Sequence, residues 1–241
     1  MQMQIHMEFE KLVIPQHYNH LLQAIILNWL NDRVYATFLH DYGYTFKSRR
    51  YKMYTFSSLY GNFERDRVSG KLVYKDGARF TVACVDDKFI EYIAKNIIFS
   101  EKVYFYNQRV EIVDVELSDV GIRDKARVVT RSPVTVYSTI QVDGKKWTKY
   151  YKPSDEKFIK LLKENLLRKY EAYYQKQPQE TIIIRHIGYH PKKAVIDYKG
   201  TIINAWKTVF ELEGDPELIK LAFDSGLGSK NSMGFGCIGL I

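Results

Sequence analysis

His40 is followed within twelve residues by four bases, Lys47, Arg49, Arg50 and Lys52. A histidine titrating near neutrality beside a fixed positive charge is the pairing that metal-free RNA cleavage requires. A base takes the proton of the 2′-hydroxyl, that oxygen attacks phosphorus, and an acid protonates the departing 5′-oxygen; histidine suits either proton role. Lysine stabilises the negative charge that accumulates on the pentavalent phosphorus. The same histidine at the end of a short helix could equally serve the helix dipole, and the residues alone leave both readings open.

A second chemical stretch closes the chain. Five of its 14 glycines lie at 226, 228, 234, 236 and 239, forming G-L-G and G-F-G around the polar segment 229–233. Glycine permits positive φ and close backbone approach. With its N–H groups, Lys230, Ser229, Asn231 and Ser232, the loop suits a phosphate or sugar-phosphate backbone. A glycine turn that merely packs helix on sheet is the competing reading. The G-x-G-x-x-G of dinucleotide sites follows a first strand and opens a helix, which is the reverse of the order here.

Other chemistries find little support. The six histidines are 6, 17, 20, 40, 186 and 190. His17/His20 and His186/His190 have ligand-like spacing, but neither pair has a cysteine partner or an H-E-x-x-H frame, so no metal site is expected. No G-x-S-x-G elbow or Walker-type loop occurs, and no cofactor is expected. Cys84 and Cys237 each sit in an apolar, strand-like run and read as buried thiols of a reducing compartment. No stretch has the roughly 18 apolar residues of a membrane span. The N-terminus lacks the apolar core of a signal peptide, so a soluble, cytoplasmic protein is expected.

The elements that must position these residues read as follows. With 241 residues, 46% of them hydrophobic, the chain suits two domains. Its net charge of +8 favours a polyanionic partner, most simply nucleic acid. Residues 1–13 alternate as a strand, with Met3, Ile5, Met7, Phe9 and Lys11 on one face. Residues 18–31 form a helix with Leu21, Leu22, Ile25, Ile26, Trp29 and Leu30 inward and His20, Gln23, Leu27 and Asn31 opposite. A short helix over 34–40 precedes a strand at 53–57. Asp76-Gly77 signals a hairpin between 72–74 and 80–82. A helix over 86–98 and strands over 102–117 complete β-α-β-β-α-β, a ferredoxin-like unit.

Residues 119–124 read as a linker. The second unit has a strand over 126–140 kinked at Ser132-Pro133, a hairpin through Asp143-Gly144, and a long helix capped by Ser154. Phe158, Leu161, Leu162, Leu166, Tyr170 and Tyr173 make its inner stripe. Strands at 181–187 and 201–212, a helix at 216–225 and a strand at 235–241 follow. The fold class is α+β, two tandem ferredoxin-like (βαββαβ, RRM-like) domains, with residues 1–120 carrying the His40 site and 125–241 the glycine loop.

The glycine loop resembles the one that ends the repeat-associated mysterious proteins, the RNA-binding superfamily of CRISPR systems. Across nearly the whole chain the sequence also resembles the CRISPR-associated endoribonucleases that process precursor CRISPR RNA. I-P-x-x-Y-N-H-L-L-Q-A-I-I-L-N-W-L on the first helix, F-L-H-D at 38–41, K-M-Y-T-F-S at 52–57 and T-R-S-P-V-T-V at 130–136 carry that likeness.

The resemblance implies His40 as the catalytic histidine and Lys52 as the catalytic lysine. It places Leu27 where many members carry a tyrosine, a departure that removes one proton-exchanging group. His20 and Gln23, on the same helix face, and Tyr42 or Tyr44 are the candidate stand-ins, His20 first among them. Lys47, Arg49 and Arg50 are expected on phosphates near the scissile bond. Lys230, Asn231 and Ser232, with the backbone from Gly226 through Gly228, Ser229 and Gly234 to Gly236, are implied to hold the repeat's backbone.

What the likeness implies is a metal-independent endoribonuclease that cleaves CRISPR repeat RNA within precursor CRISPR RNA, leaving a 2′,3′-cyclic phosphate and a 5′-hydroxyl. The alternative is a non-catalytic repeat-binding subunit of a multi-subunit interference complex. Oligomeric state stays open, a homodimer included.

Overall fold

The computed structural model describes residues 1–100, 102–121 and 123–241; of His40 it describes the backbone. The N-terminal half contains β1 (Gln2–Glu8), β2 (Lys11–Ile14), α1 (Asn19–Trp29), α2 (Arg33–Thr37), a π-helical turn (Phe38–Tyr42), β3 (Tyr44–Phe46), β4 (Arg49–Tyr51), β5 (Tyr54–Phe56), β6 (Tyr60–Arg65), β7 (Leu72–Cys84), α3 (Asp87–Ile98), β8 (Val103–Phe105) and β9 (Gln108–Ser118). β1 and β7 lie at the centre of an antiparallel sheet, with β9 beyond β1 and the successive short strands β5 and β6 beyond β7. That is the strand order of a ferredoxin-like unit. Leu22, Ile25, Ile26 and Trp29 of α1 and Phe89, Ile90, Ile93 and Ile97 of α3 are buried against Met3, Ile5 and Met7 of β1.

Two expectations change here for one reason. Asp76-Gly77 is not a hairpin but a bulge inside the 13-residue β7, with φ of 64° and 127°. A Cβ on Gly77 would stand 2.6 Å from the Met7 carbonyl oxygen. At the matching level of the neighbouring strand, Phe9 and Glu10 interrupt the run expected over residues 1–13. Pairing with β7 shifts from Met7↔Ala78 to Lys11↔Lys75. Leu12 and Ile14 therefore become the buried set, and Lys11 is exposed. A bulge adds local bend and twist to a long strand, and glycine allows the close approach. The true hairpin lies between β6 and β7. There Asp66 accepts from the Val68 and Ser69 amides, and Gly70 takes φ 68°.

The C-terminal half contains β10 (Lys125–Thr130), β11 (Tyr137–Val142), β12 (Lys145–Tyr150), α4 (Glu156–Tyr174), β13 (Ile182–His186), β14 (Lys192–Tyr198), β15 (Thr201–Lys207), β16 (Val209–Gly214), α5 (Pro216–Ser225), a 3-10 turn (Asn231–Met233) and β17 (Ile238–Leu240). Its sheet order β13-β16-β10-β17 repeats the ferredoxin-like arrangement. The hairpin β11–β12 forms through Asp143-Gly144 as expected. A second hairpin, β14–β15, was not foreseen, and the strand expected over 201–212 breaks at Thr208 into β15 and β16.

The helix expected to start from Ser154 is instead preceded by Asp155 as its N-cap residue, whose carboxylate accepts from the Lys152 amide. Phe158, Leu162, Leu166 and Tyr170 of α4 are buried, while Leu161 and Tyr173 are half-buried. α5 matches its expected span. Asp215 caps it, accepting from the Glu217 and Leu218 amides at 2.8 and 3.3 Å.

The two halves are stitched by polar contacts. Gln2 donates to the Phe223 and Ile238 carbonyls, Arg131 donates to the Thr81 hydroxyl at 3.0 Å, and the N-terminal amine meets Asp224 at 2.8 Å. Cys84 and Cys237 are free and buried, and burial raises both thiol pKa values. No described helix is long and apolar enough to cross a membrane.

Candidate nucleic-acid interface

α2 starts on Asp32, whose carboxylate accepts from the Tyr35 amide at 2.9 Å, and runs directly into the π-helical turn. Such turns hold an extra residue per hydrogen-bonded ring and recur at functional sites. The turn closes on Gly43, whose amide donates to the Phe38 carbonyl at 2.7 Å. Gly43 has φ 67°, and a Cβ there would lie 2.5 Å from the Tyr51 carbonyl oxygen and 3.1 Å from Lys52 Cδ. Only glycine lets the turn press this closely on residues 51 and 52. Arg50 ties the same contact by donating to the Asp41 carbonyl at 2.9 Å. The backbone of His40 belongs to this turn; its side chain lies outside the described residues.

The basic run is a small hairpin rather than a simple lead-in to a strand: β3 pairs with β4, and Lys47 takes φ 54° at the tip. Tyr44 packs on Tyr173 of α4, ring centres 4.9 Å apart, which seats the hairpin against the C-terminal half. Lys52 follows β4. Burial lowers its pKa, the Asp41 charge opposes that shift, and Arg50 adds to it.

The glycine loop is mostly interior. Gly226, Gly228, Gly234 and Gly236 are buried, all with φ between 72° and 81°. A Cβ at Gly236 would stand 1.9 Å from the Leu227 carbonyl oxygen, and one at Gly234 2.5 Å from the Phe56 ring. Asn231 is the internal brace, donating to the Leu227 and Phe235 carbonyls, each at 3.0 Å. The N-terminal half grips the loop from outside. Asn19 donates to the Met233 carbonyl at 2.9 Å, Gln23 to the Ser232 carbonyl at 2.7 Å, and Thr55 to the Phe235 carbonyl at 3.0 Å. The glycines therefore serve close packing, and the half-buried residues left at the surface are Ser229, Lys230, Ser232 and Met233.

Hairpin and loop meet in a cleft of about 620 Å³ between the two halves. Arg49, Arg50 and Lys52 line it from one side and Gly228, Ser229, Lys230, Asn231 and Ser232 from the other. The sequence reading missed the floor, supplied by α4 (Asn165, Arg168, Lys169) and by Tyr137. One signal was available: Lys169 falls within the apolar stripe of α4, between Leu166 and Tyr170, where a lysine is out of place. Among the described residues the lining holds six bases and no carboxylate. A concave, one-signed wall concentrates field and favours a polyanion. Lys230, at φ 61°, holds its ammonium 5.2 Å from the centre of the Tyr137 ring, and burial lowers its pKa. Arg168 donates to Glu164 at 2.8 Å.

Other sequence-selected residues fall elsewhere. Lys47, Gly226, Gly234 and Gly236 do not line the cleft, and neither does His20. The His20 ring stands edge-on to Tyr198, centres 6.3 Å apart, and its buried Nδ1 makes no hydrogen bond among the described residues. Gln23 is committed to the loop, because it also accepts from the Tyr198 hydroxyl. Leu27 packs against the N-terminal core, and Tyr42 is exposed. His186 contacts the Thr208 hydroxyl at 2.7 Å.

One group of metal-ligand type comes together among the described residues. His6, Asp114 and Glu116 bring their ligand atoms within 4.8 Å of one another. All three lie outside the cleft lining. Gln4 reaches His6 at 2.9 Å and Glu116 at 3.2 Å, so the group has internal partners.

A family model described as CRISPR associated protein Cas6, C-terminal, matches residues 114–240. A Methanocaldococcus jannaschii protein named CRISPR-associated endoribonuclease Cas6 1 is 28% identical over 94% of the chain and 87% of its own length. The CRISPR-associated endoribonuclease Cas6 of Pyrococcus furiosus is 26% identical over 93% of the chain and 83% of its own. Among solved structures, one titled CRISPR associated protein Cas6 superposes with a TM-score of 0.79 at 25% identity, covering 100% of the chain and 99% of its own. A Cas6-related protein from Pyrococcus furiosus shares the fold with a TM-score of 0.84 at 21% identity, covering 100% and 98%.

Proposed function

The chain belongs to the Cas6 family of CRISPR-associated proteins, and from that premise we propose that it is an endoribonuclease that cuts CRISPR repeat RNA in the cleft between its two halves. The observation that carries this is the cleft itself. Among the described residues six bases and no carboxylate line it, Lys52 stands at one side, and the turn bearing His40 packs on Lys52 through Gly43.

The finer mechanism is proposed on the same ground. His40 takes the 2′-hydroxyl proton, and the freed oxygen attacks the adjacent phosphorus. The bond to the 5′-oxygen breaks as the His40 imidazolium gives its proton to that oxygen, leaving a 2′,3′-cyclic phosphate, a 5′-hydroxyl and His40 neutral again. Lys52, charged and partly desolvated, stabilises the equatorial oxygens as negative charge builds, an interaction stronger in the transition state than in the ground state. Arg49, Arg50, Lys230 and the Ser229–Ser232 segment hold flanking phosphates. Reactant, nucleophile and leaving group all belong to the RNA, so proton transfer and charge stabilisation suffice without a metal. His20 remains the second candidate for the proton role. The division into residues 1–120 and 125–241 is supported by the separate sheets on either side of 119–124.

Cleavage of 5′-labelled repeat RNA in EDTA by the wild type and by His40→Ala tests the proposal. Cutting at one position by the wild type, with a variant that binds but does not cut, is the expected result. Equal cutting by His40→Ala moves the proton role to His20, and tight binding without cutting by the wild type rejects the catalytic reading.

A further inference from the structure

Lys169 lies in the last third of α4 and is 3% exposed, yet it borders the cleft. Its amine donates to the Gly226 carbonyl at 2.6 Å, the Ser225 carbonyl at 3.1 Å and the Ser225 hydroxyl at 3.4 Å. Those carbonyls are where α5 ends and the glycine loop begins. A buried ammonium ordinarily keeps a carboxylate beside it, because desolvating an unpaired charge is costly.

Among the described residues Lys169 forms no ion pair. Two acidic groups on the elements around it have other partners, and its neighbours across the cleft are of the same sign. Asp224 of α5 goes to the N-terminal amine and Lys220, and Glu164 of α4 goes to Arg168. Arg49, Arg50, Lys52 and Lys230 face the same cleft as further cations. Its near neighbour on the helix, Asn165, also borders the cleft, with a buried Oδ1 that accepts no hydrogen bond among the described residues. The floor of the cleft thus carries an uncompensated amine and an unused acceptor.

We propose that Lys169 is a positioning residue that couples the cleft to the glycine loop: an RNA phosphate in the cleft draws a solvent proton onto the Lys169 amine, and the ammonium so formed fastens the Ser225 and Gly226 carbonyls. The proposal rests on the reading of the cleft as the RNA path. As a neutral amine, Lys169 has two N–H donors and a weak hold on the carbonyls. As an ammonium it has three donors, and charge-assisted bonds are roughly twice as strong as neutral ones. Burial pushes the group down to about 7, so the free protein holds a mixed population near neutrality. A nearby anion favours the charged form. The loop residues that meet the RNA, Ser229 to Ser232, are thereby tightened when RNA arrives.

The test is calorimetry of repeat RNA binding at pH 7.5 in two buffers of different ionisation enthalpy, with wild type and Lys169→Met. Wild type is expected to take up about half to three-quarters of a proton more per RNA than the variant, as follows from an amine near 7 whose pKa rises by a unit or more on binding. The excess should shrink towards pH 6, where the amine is already charged. Inorganic tripolyphosphate serves as a second anion. If it draws the Lys169-dependent proton while RNA does not bind, the coupling stands and the RNA reading falls. Equal proton uptake by wild type and variant with either anion overturns the proposal, as does failure of the wild type to bind both anions. Should Lys169→Met not fold, carbon-13 NMR of the wild-type lysine ε-carbons decides. One resonance must titrate near neutrality and move upward with RNA, and the absence of such a resonance overturns the proposal.

Discussion

Gly234→Ala separates the packing role of the glycine loop from the backbone conformation it adopts. Gly234 takes φ 81°, and a Cβ there would lie 2.5 and 2.9 Å from the Phe56 ring and 2.7 Å from Asn19 Nδ2. Phe56 is fully buried, and Asn19 donates to the Met233 carbonyl, so neither neighbour can yield freely. Left-handed backbone costs alanine about 1–2 kcal/mol. Forcing the ring and the amide apart adds about 1–3 kcal/mol of overpacking. The expected loss is thus about 2–5 kcal/mol, a large part of the roughly 5–15 kcal/mol that holds a domain folded.

Gly200→Ala is the control. Gly200 has φ 82° and nothing within 4 Å of its Cβ position, so only the backbone cost applies. Gly→Ala effects on the unfolded chain are common to both variants and cancel. Urea denaturation should show Gly234→Ala less stable than Gly200→Ala by about 1–3 kcal/mol, with unchanged m-values. Repeat RNA affinity should fall for Gly234→Ala alone. Equal destabilisation of the two variants would refute the claim that close packing on the N-terminal half, rather than φ, demands glycine at 234.

Lys52→Ala should slow single-turnover cleavage by about 10²–10³-fold, the usual loss when one charge-stabilising donor is removed, with a much smaller change in affinity. Equal losses in both would make Lys52 a plain binding residue. Arg49→Ala and Lys230→Ala should each lower the slope of log affinity against log salt by about 0.7 if each side chain neutralises one phosphate of single-stranded RNA. An unchanged slope removes that contact.

The folding stability of the free protein should rise with pH on account of Lys169. Its folded pKa is about 7 against an unfolded value near 10.5, so between those limits the unfolded chain binds more protons. The slope approaches about 1.4 kcal/mol per unit above pH 7, and Lys169→Met should lack it. The comparison is made below about pH 8.5, where the buried thiols, with raised pKa values, begin to act in the opposite direction. Identical profiles for wild type and variant would show that Lys169 is not held near neutrality.

The legible part of this molecule is the part written in local pattern. α1, α3 and α5 follow from apolar residues spaced for one buried face, and β11–β12 follows from Asp143-Gly144 between alternating runs. Asp76-Gly77 carries the same dipeptide signal and means something else. The Met7 carbonyl, 69 positions away in the chain, decides between turn and bulge, and no window around residue 76 contains it. β3–β4 and β14–β15 were missed because each is seated by tertiary contacts: the Tyr44 ring on Tyr173, and the Tyr198 hydroxyl on Gln23.

The site divides in the same way. Lys52, Arg49, Arg50 and the 229–232 segment were picked out by charge, by glycine spacing and, for the role of Lys52, by the family resemblance, and they line one cleft. Its floor was not found, because Asn165, Arg168 and Lys169 sit on a helix whose strongest signal is its core stripe. A lysine inside that stripe reads locally as noise. In the folded chain it joins the helix, the start of the glycine loop and the basic cleft, and among the described residues no carboxylate pairs with it, which under the coupling proposed above leaves its charge to an RNA phosphate.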